Sequence, residues 1–117
     1  MAVTARIDLS EVDGVRVIRF RERQLFEDRT VREAADQVFA ATPATGPIRL
    51  ILDFTGVDLV SSSLLGKLIL LQRRVDASGG KLRLCEMSNA VRAVFKTSNL
   101  DRLFAIDRDR RESLEAF

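Results

Sequence analysis

The sequence predicts an α/β fold with a mostly parallel β-sheet, one antiparallel edge strand and about four flanking helices. Its 117 residues, 46 % hydrophobic and 31 % charged, suit one compact domain, so residues 1–117 are expected to form a single unit. Strand-like and helix-like patterns alternate along most of the chain, which favours parallel strands joined by crossover helices. An Asp13-Gly14 turn near the start indicates one antiparallel hairpin.

The first part of the chain is predicted to hold that hairpin and a helix. Apolar and polar residues alternate over residues 3–9, and Val15–Phe20 is the expected partner strand. Residues 21–29 are mostly charged and are predicted to form a surface loop. Thr30 and Glu33 match a capping box, which predicts that a helix begins there. The apolar stripe of that helix consists of Val31, Ala34, Ala35, Val38 and Phe39.

A buried strand and a long helix are predicted next. Residues 42–47 contain two prolines and a glycine and indicate a loop. Residues 48–54 are nearly all apolar, as in a central strand covered on both faces. A helical pattern then extends from Ser61 or Ser62 to about Ser78, and two glycines end it. Its apolar face consists of Leu64, Leu65, Leu68, Ile69, Leu71 and Val75.

The last third continues the alternation of strands and helices. The predicted elements are a strand at residues 81–85, a helix capped by Ser88 or Asn89 and stopped by Asn99, a strand at 103–106 and a helix at 110–117. No internal repeat or linker interrupts them, which supports the single-domain interpretation.

Several kinds of function are disfavoured by what the composition lacks. The chain has no His, so Ser-His-Asp and Cys-His nucleophiles and Cys/His zinc sites cannot be built. We therefore expect no enzyme activity, no metal and no cofactor. The one cysteine, Cys85, cannot form an internal disulfide and is expected to be a buried or edge thiol.

Charge and hydropathy also bound the choice of partner. The net charge is only +2 and the basic residues are interspersed with acidic ones, so no nucleic-acid partner is expected. The longest apolar stretch, residues 64–71, is too short to span a bilayer, and the first residues do not resemble a signal peptide. These features predict a cytoplasmic protein without membrane insertion.

Two acidic residues, Asp53 and Asp58, flank the end of the central strand. Carboxylates at the carboxyl edge of a parallel sheet could hold Mg²⁺ in a phosphotransfer site. No surrounding lysine or threonine completes such a site, and a structural role at the strand end is the preferred interpretation.

The main candidate site is the run of serines at positions 61–63, which lies between the central strand and the long helix. Amide groups at a helix N-terminus are unpaired and the helix dipole is positive there, so a phosphate on one of these serines would be stabilised. Simple helix capping by serine is the alternative explanation. On these residues alone, a phosphorylation switch or a docking edge is favoured over a catalytic centre.

The serine loop and its surroundings resemble the STAS domain family, which includes bacterial anti-sigma factor antagonists and the cytoplasmic part of sulfate transporters. In the antagonists this loop typically has the sequence Asp-Ser-Ser/Thr-Gly-Leu-Gly, and here residues 61–66 are Ser-Ser-Ser-Leu-Leu-Gly. Ser61 takes the position of the Asp, Ser62 that of the phosphorylated serine, and Leu64 replaces the first Gly. Residues 79–84 and 91–106 also resemble the family, so the likeness covers nearly the whole chain.

The resemblance implies an anti-sigma factor antagonist, a non-enzymatic bacterial transcription regulator that is switched by serine phosphorylation. Its partner would be an anti-sigma factor or a serine kinase of the same pathway. Ser62 is the implied phosphorylation site, with Ser61 and Ser63 as helix cap and switch loop. The expected partner contacts are Ser62, Ser63, Leu64, Lys67, Leu25, Phe26 and Asp28. The alternative is a STAS scaffold or ligand-sensing module that is not phosphorylated.

Overall fold

A computed structural model describes residues 4–117. Its seven strands are β1 (Ile7–Val12), β2 (Val15–Phe20), β3 (Gln24–Leu25), β4 (Arg49–Asp53), β5 (Leu59–Val60), β6 (Lys81–Cys85) and β7 (Ala105–Ile106). Its four α-helices are α1 (Asp28–Ala41), α2 (Ser62–Ala77), α3 (Asn89–Thr97) and α4 (Arg110–Glu115), and a short 3₁₀ turn covers Leu100–Arg102.

Five of the strands form one sheet in the order β1-β2-β4-β6-β7. The β1–β2 pair is antiparallel and the other three pairs are parallel, which confirms the predicted fold class. Asp13 and Gly14 both have positive φ angles, 51° and 78°, as a two-residue hairpin turn requires. The strands β3 and β5 pair with each other in a separate two-stranded ribbon.

The two faces of the main sheet are covered very differently. One face, which we call the front, packs against α1, α2 and α3, because the apolar stripes of all three helices join one large interior cluster. The other face, the back, carries a small apolar cluster of Val15, Val17, Ile51 and Cys85, against which Leu114 and Phe117 pack. Among the helices of residues 4–117, α4 is thus the one that covers the back face of the sheet.

The predicted capping box at Thr30 is wrong. Helix α1 begins two residues earlier, at Asp28, and its N-cap is Glu27, whose side chain makes no capping bond. The carboxylate of Glu33 instead accepts hydrogen bonds from Arg6 and Arg29, so it does not reach back to Thr30. Glu33 thus pairs with the distant Arg6 and with Arg29, in place of the capping box that the sequence predicts.

Other boundaries shift by a few residues. Strand β1 begins at Ile7, whereas the prediction began at residue 3, which lies outside the described residues. The last strand is shorter than predicted, because residues 100–104 form the 3₁₀ turn and its exit. Strands β3 and β5 were predicted as loops, since two residues give no periodicity to detect.

Candidate functional site

The N-terminus of α2 is built around Ser61. This residue is extended (φ −97°, ψ 162°), and its side-chain oxygen accepts a hydrogen bond from the Leu64 amide at 3.2 Å. Its carbonyl accepts the first bond of the helix from Leu65, also at 3.2 Å. Ser61 is therefore the N-cap and Ser62 occupies the first helical position. The sequence had left open whether the helix starts at Ser61 or Ser62.

The β3–β5 ribbon holds this helix start against the segment that precedes α1. The Ser61 amide donates to the Leu25 carbonyl at 2.9 Å, and the Asp58 amide donates to the Arg23 carbonyl at 2.7 Å. The Arg23 guanidinium also binds the Asp58 carboxylate at 2.7 Å. As a result Phe26, the residue after β3, lies beside the serine loop, although the two are far apart in sequence.

The predicted contact residues divide into exposed and buried groups. Ser62, Ser63 and Asp28 are exposed, Lys67 is half-buried, and the Phe26 side chain is 55 % exposed. Leu25 and Leu64, by contrast, are 0 % and 1 % exposed.

The burial of these two leucines corrects the expectation that they contact a partner. Leu64 faces the narrow space between α1 and α2, next to Phe20 and Val38. Leu25 lies on the inner side of the ribbon and belongs to the same front cluster. In this conformation neither side chain offers surface to a second protein.

Leu59 is an exposed apolar residue of this region that the sequence analysis missed. Its partner position in the ribbon is Gln24, and the next pair, Leu25 and Val60, is buried. Because side chains alternate along a strand, Leu59 and Phe26 both lie on the outer side of the ribbon. Leu59 is 40 % exposed, so the two residues give this side an apolar character close to Ser62. Only the β3–β5 pairing reveals this, and the sequence carries no signal for it.

The electrostatics of the loop suit an added phosphate. The amides of Ser62 and Ser63 donate no hydrogen bond within residues 4–117, as expected for the first turn of a helix. The positive end of the α2 dipole lies at the same place, and α2 has no acidic residue in its first turn. A dianionic group on Ser62 would thus meet unpaired donors without like-charge repulsion from its own helix.

Each of the two acidic residues considered for magnesium is bound by an arginine. Asp53 is buried, and its carboxylate accepts bonds from Thr55 and from Arg110, the latter at 2.9 Å. The Asp58 carboxylate is bound by Arg23 on the protein surface. Within residues 4–117 no group of three or more acidic or cysteine side chains is placed to hold a metal ion.

Cys85 is fully buried on the back face of the sheet. Burial, and secondarily the nearby Asp53 carboxylate, raises the pKa of its thiol to about 12. The thiol is therefore protonated at neutral pH and poorly nucleophilic, which fits the predicted structural role.

Comparison with known proteins places this fold. A family model described as the STAS domain matches residues 6–113. A Bordetella bronchiseptica protein named "Putative anti-sigma factor antagonist BtrV" is 31 % identical over 85 residues, which are 73 % of each chain.

Solved structures give the same result for the fold. A STAS-domain anti-sigma-factor antagonist protein from Planctomyces limnophilus superposes with a TM-score of 0.85 at 23 % identity, covering 96 % of this chain and 97 % of that one. An anti-sigma factor antagonist from Mycobacterium paratuberculosis gives 0.74 at 20 % identity, over 94 % and 91 %. Among the described residues, the helices are all too short or too polar to cross a bilayer. With the family match over nearly its whole length, this chain belongs to the STAS domain family.

Proposed function

We propose that this chain is a non-enzymatic anti-sigma factor antagonist whose contact with its partner is controlled by phosphorylation of Ser62. One observation carries the proposal: Ser62 is exposed in the first turn of α2, while Ser61 caps the helix and Leu64 anchors it in the core. A side chain held in this way can be modified without loosening the helix. The name of the Bordetella relative supports the choice of partner class.

The proposed contact surface consists of the exposed residues around the start of α2. Its members are Ser62, Ser63, Lys67, Phe26 and Asp28, together with Leu59. Apolar side chains at the centre with polar groups at the margin are typical of a protein–protein contact. The partner would be an anti-sigma factor, or a serine kinase of the same pathway.

Phosphorylation would act on this contact through charge and solvation. A phosphoserine carries about −1.5 to −2 charges at neutral pH and must lose water when a protein covers it. The α2 dipole stabilises the same charge within the chain. The modified domain therefore stays folded, and the cost appears when the partner binds.

The test compares three variants for partner binding. Ser62→Asp should bind a purified kinase-fold anti-sigma factor more weakly than wild type, while its circular dichroism and thermal midpoint stay unchanged. Ser62→Ala should bind normally and gain no phosphate with kinase and ATP in an intact-mass measurement. Thr45→Asp adds the same charge in the exposed loop before β4, at the opposite end of that strand, and should bind like wild type.

Two outcomes would count against the proposal. Equal binding of wild type and Ser62→Asp would show that a charge at position 62 does not control partner binding. Phosphate found reproducibly on another residue would show that Ser62 is not the phosphorylation site. Binding without any phosphorylation of Ser62 would favour the alternative, a constitutive STAS scaffold or ligand-sensing module.

As a stability control, Ser61→Ala should lower the free energy of unfolding by about 1 kcal/mol, because it removes the cap.

A further inference from the structure

Strand β1 forms an open edge of the main sheet. It has β2 on one side, and within residues 4–117 no strand pairs with its other side. The β1–β2 register continues without a bulge from Ile7 to Val12. The strand contains no proline or lysine, which are the residues that commonly prevent edge-to-edge pairing.

The hairpin fixes which backbone groups of β1 point outward. The Arg21 amide donates to the Arg6 carbonyl at 2.8 Å, so the carbonyl of Arg6 faces β2. Because backbone direction alternates along an antiparallel strand, the even-numbered residues of β1 also bond to β2. The amides and carbonyls of Ile7, Leu9 and Glu11 therefore point away from the sheet, with Leu9 at the centre of the three.

From this edge we propose that two copies of the chain pair through antiparallel β1 strands, with Leu9 opposite Leu9 of the second copy. In this register Ile7 of each copy faces Glu11 of the other, so all three outward residues exchange both of their backbone hydrogen bonds. A two-fold axis at residue 8 would place Glu11 opposite Ala5, and an axis at residue 10 would place Ile7 opposite the turn residue Asp13, in both cases outside β1. The two main sheets would then continue as one ten-stranded sheet.

Side chains favour the same register. The Leu9 side chain is 53 % exposed, and the symmetric pairing covers it with its own copy. Asp8 falls opposite Ser10 of the second copy, whereas an axis at residue 8 would place two aspartates opposite each other, which is destabilising. An axis at residue 10 would place Leu9 opposite Glu11 and lose the apolar pair.

The acidic residues of β1 do not prevent this approach, because β2 compensates them. In the β1–β2 register Asp8 lies opposite Arg19 and Glu11 lies opposite Arg16. Asp8 is also 3.7 Å from the Arg21 guanidinium. Each negative charge on the edge thus has an arginine of its own chain beside it. A second copy of β1 brings no excess of one sign to the contact.

Substitution of Leu9 tests the pairing and its register. Wild-type protein should sediment as a dimer, and Leu9→Arg, which places two positive charges opposite each other, should weaken dimerisation at least about tenfold. Leu9→Glu should do the same. Mixing the two variants should restore a dimer, because the arginine at position 9 of one copy would then lie opposite the glutamate at position 9 of the other. Leu70→Arg is the matched control, since Leu70 is also 53 % exposed, but on α2, and it should stay dimeric.

Circular dichroism of each variant checks that β1 and the rest of the fold remain intact. The proposal is overturned if wild type sediments as a monomer at the highest soluble concentration, or if Leu9→Arg remains a dimer. A mixture of Leu9→Arg and Leu9→Glu that stays monomeric excludes the register with Leu9 at the two-fold axis. This pairing does not depend on Ser62, so its failure would leave the proposed switch untouched.

Discussion

The two faces of the main sheet are stabilised by different interactions. On the front face, twenty-two buried residues form one continuous apolar cluster beneath three helices. On the back face, four buried residues form the apolar cluster, and ion pairs hold the connection to α4. Arg110 of α4 binds Asp53, and Arg83 of β6 binds Asp107 just before α4, in both cases with a shortest distance below 2.8 Å. The front layer is thus secured by a large apolar area, and the back helix by a few specific bonds together with the packing of Leu114 and Phe117.

This difference affects how each face opens. Apolar burial is shared by many residues, so the front layer should be lost only with global unfolding. A short helix that is fixed by a few bonds and by the packing of Leu114 and Phe117 can detach while the rest of the domain stays folded, in the manner of a local opening. Cys85 lies beneath α4 on the back face, and as the one cysteine of the chain it reports such opening through its reactivity.

The largest expected effect is on the front face, at Phe54. Its ring lies 5.1 Å from that of Phe20 and 6.3 Å from that of Phe95, and the side chain is fully buried. Phe54→Ala should lower the free energy of unfolding by about 3–5 kcal/mol, because it leaves a cavity at the centre of the cluster. Urea titration followed by far-ultraviolet circular dichroism measures it, since the chain has neither Trp nor Tyr. Phe54→Leu, which keeps most of the volume, should cost less, and equal losses would contradict the cavity argument.

A smaller loss of stability, and a different kind of opening, is expected from Asp107 on the back face. Its carboxylate accepts bonds from Arg83 at 2.8 and 2.6 Å and from the Ser113 hydroxyl at 2.6 Å. Asp107→Asn removes the charge and places an amide donor against these donors, at a cost of about 1–3 kcal/mol. Cys85 should also react faster with a thiol reagent, with a rate that hardly changes in low urea, as for a local opening. If the reaction rate of Cys85 rises only as much as the loss of global stability accounts for, α4 does not open separately.

The same contrast explains which parts of the fold could be predicted from the sequence. The front layer follows from repeating apolar patterns, so α2, α3 and β6 were placed to within about a residue of the observed bounds. The bond between Asp53 and Arg110 joins residues 57 positions apart, and no local pattern encodes it. The β3–β5 ribbon could not be predicted for a similar reason, because it pairs residues that are distant in sequence. The exposure of Leu59 beside the serine loop was missed with it. Of the candidate site, Ser61 as a possible cap was predictable, because capping depends on neighbouring residues alone.

Acidification should act on the back face through the pKa of Asp107. The hydrogen bond from Arg83, and secondarily that from Ser113, holds this pKa below its ordinary value of 3.8, in spite of the opposing effect of burial. Between the lowered pKa and 3.8 the unfolded chain binds more protons than the folded one, so stability falls as the pH falls. The contribution is fully present above about 3.8 and is lost as the pH drops through the lowered value.

Comparison of wild type with Asp107→Asn isolates this contribution from the other carboxylates. The difference in free energy of unfolding between the two proteins should be constant near neutral pH and should shrink below about pH 3.8. Urea midpoints measured at a series of pH values give this difference directly. A difference that stays the same into strong acid would mean that the charge of Asp107 does not stabilise the back face.

The smallest expected effect concerns a buried polar residue of the front layer, Gln72. This α2 residue is only 7 % exposed, and its side-chain nitrogen donates to Asp76 at 2.9 Å. Its side-chain oxygen is buried and has no hydrogen-bond partner among the described residues. Gln72→Met keeps the length of the side chain and removes the unsatisfied oxygen, so it should raise the free energy of unfolding by up to about 1 kcal/mol. Gln72→Glu is the opposing control, because it would bury a charge near Asp76 and should destabilise.

If apolar burial secures the front layer, Gln72→Met should raise the urea midpoint and leave Cys85 reactivity in native buffer unchanged. A lower midpoint for Gln72→Met would show instead that the bond to Asp76 outweighs the unpaired oxygen, and that the front layer also relies on a polar contact.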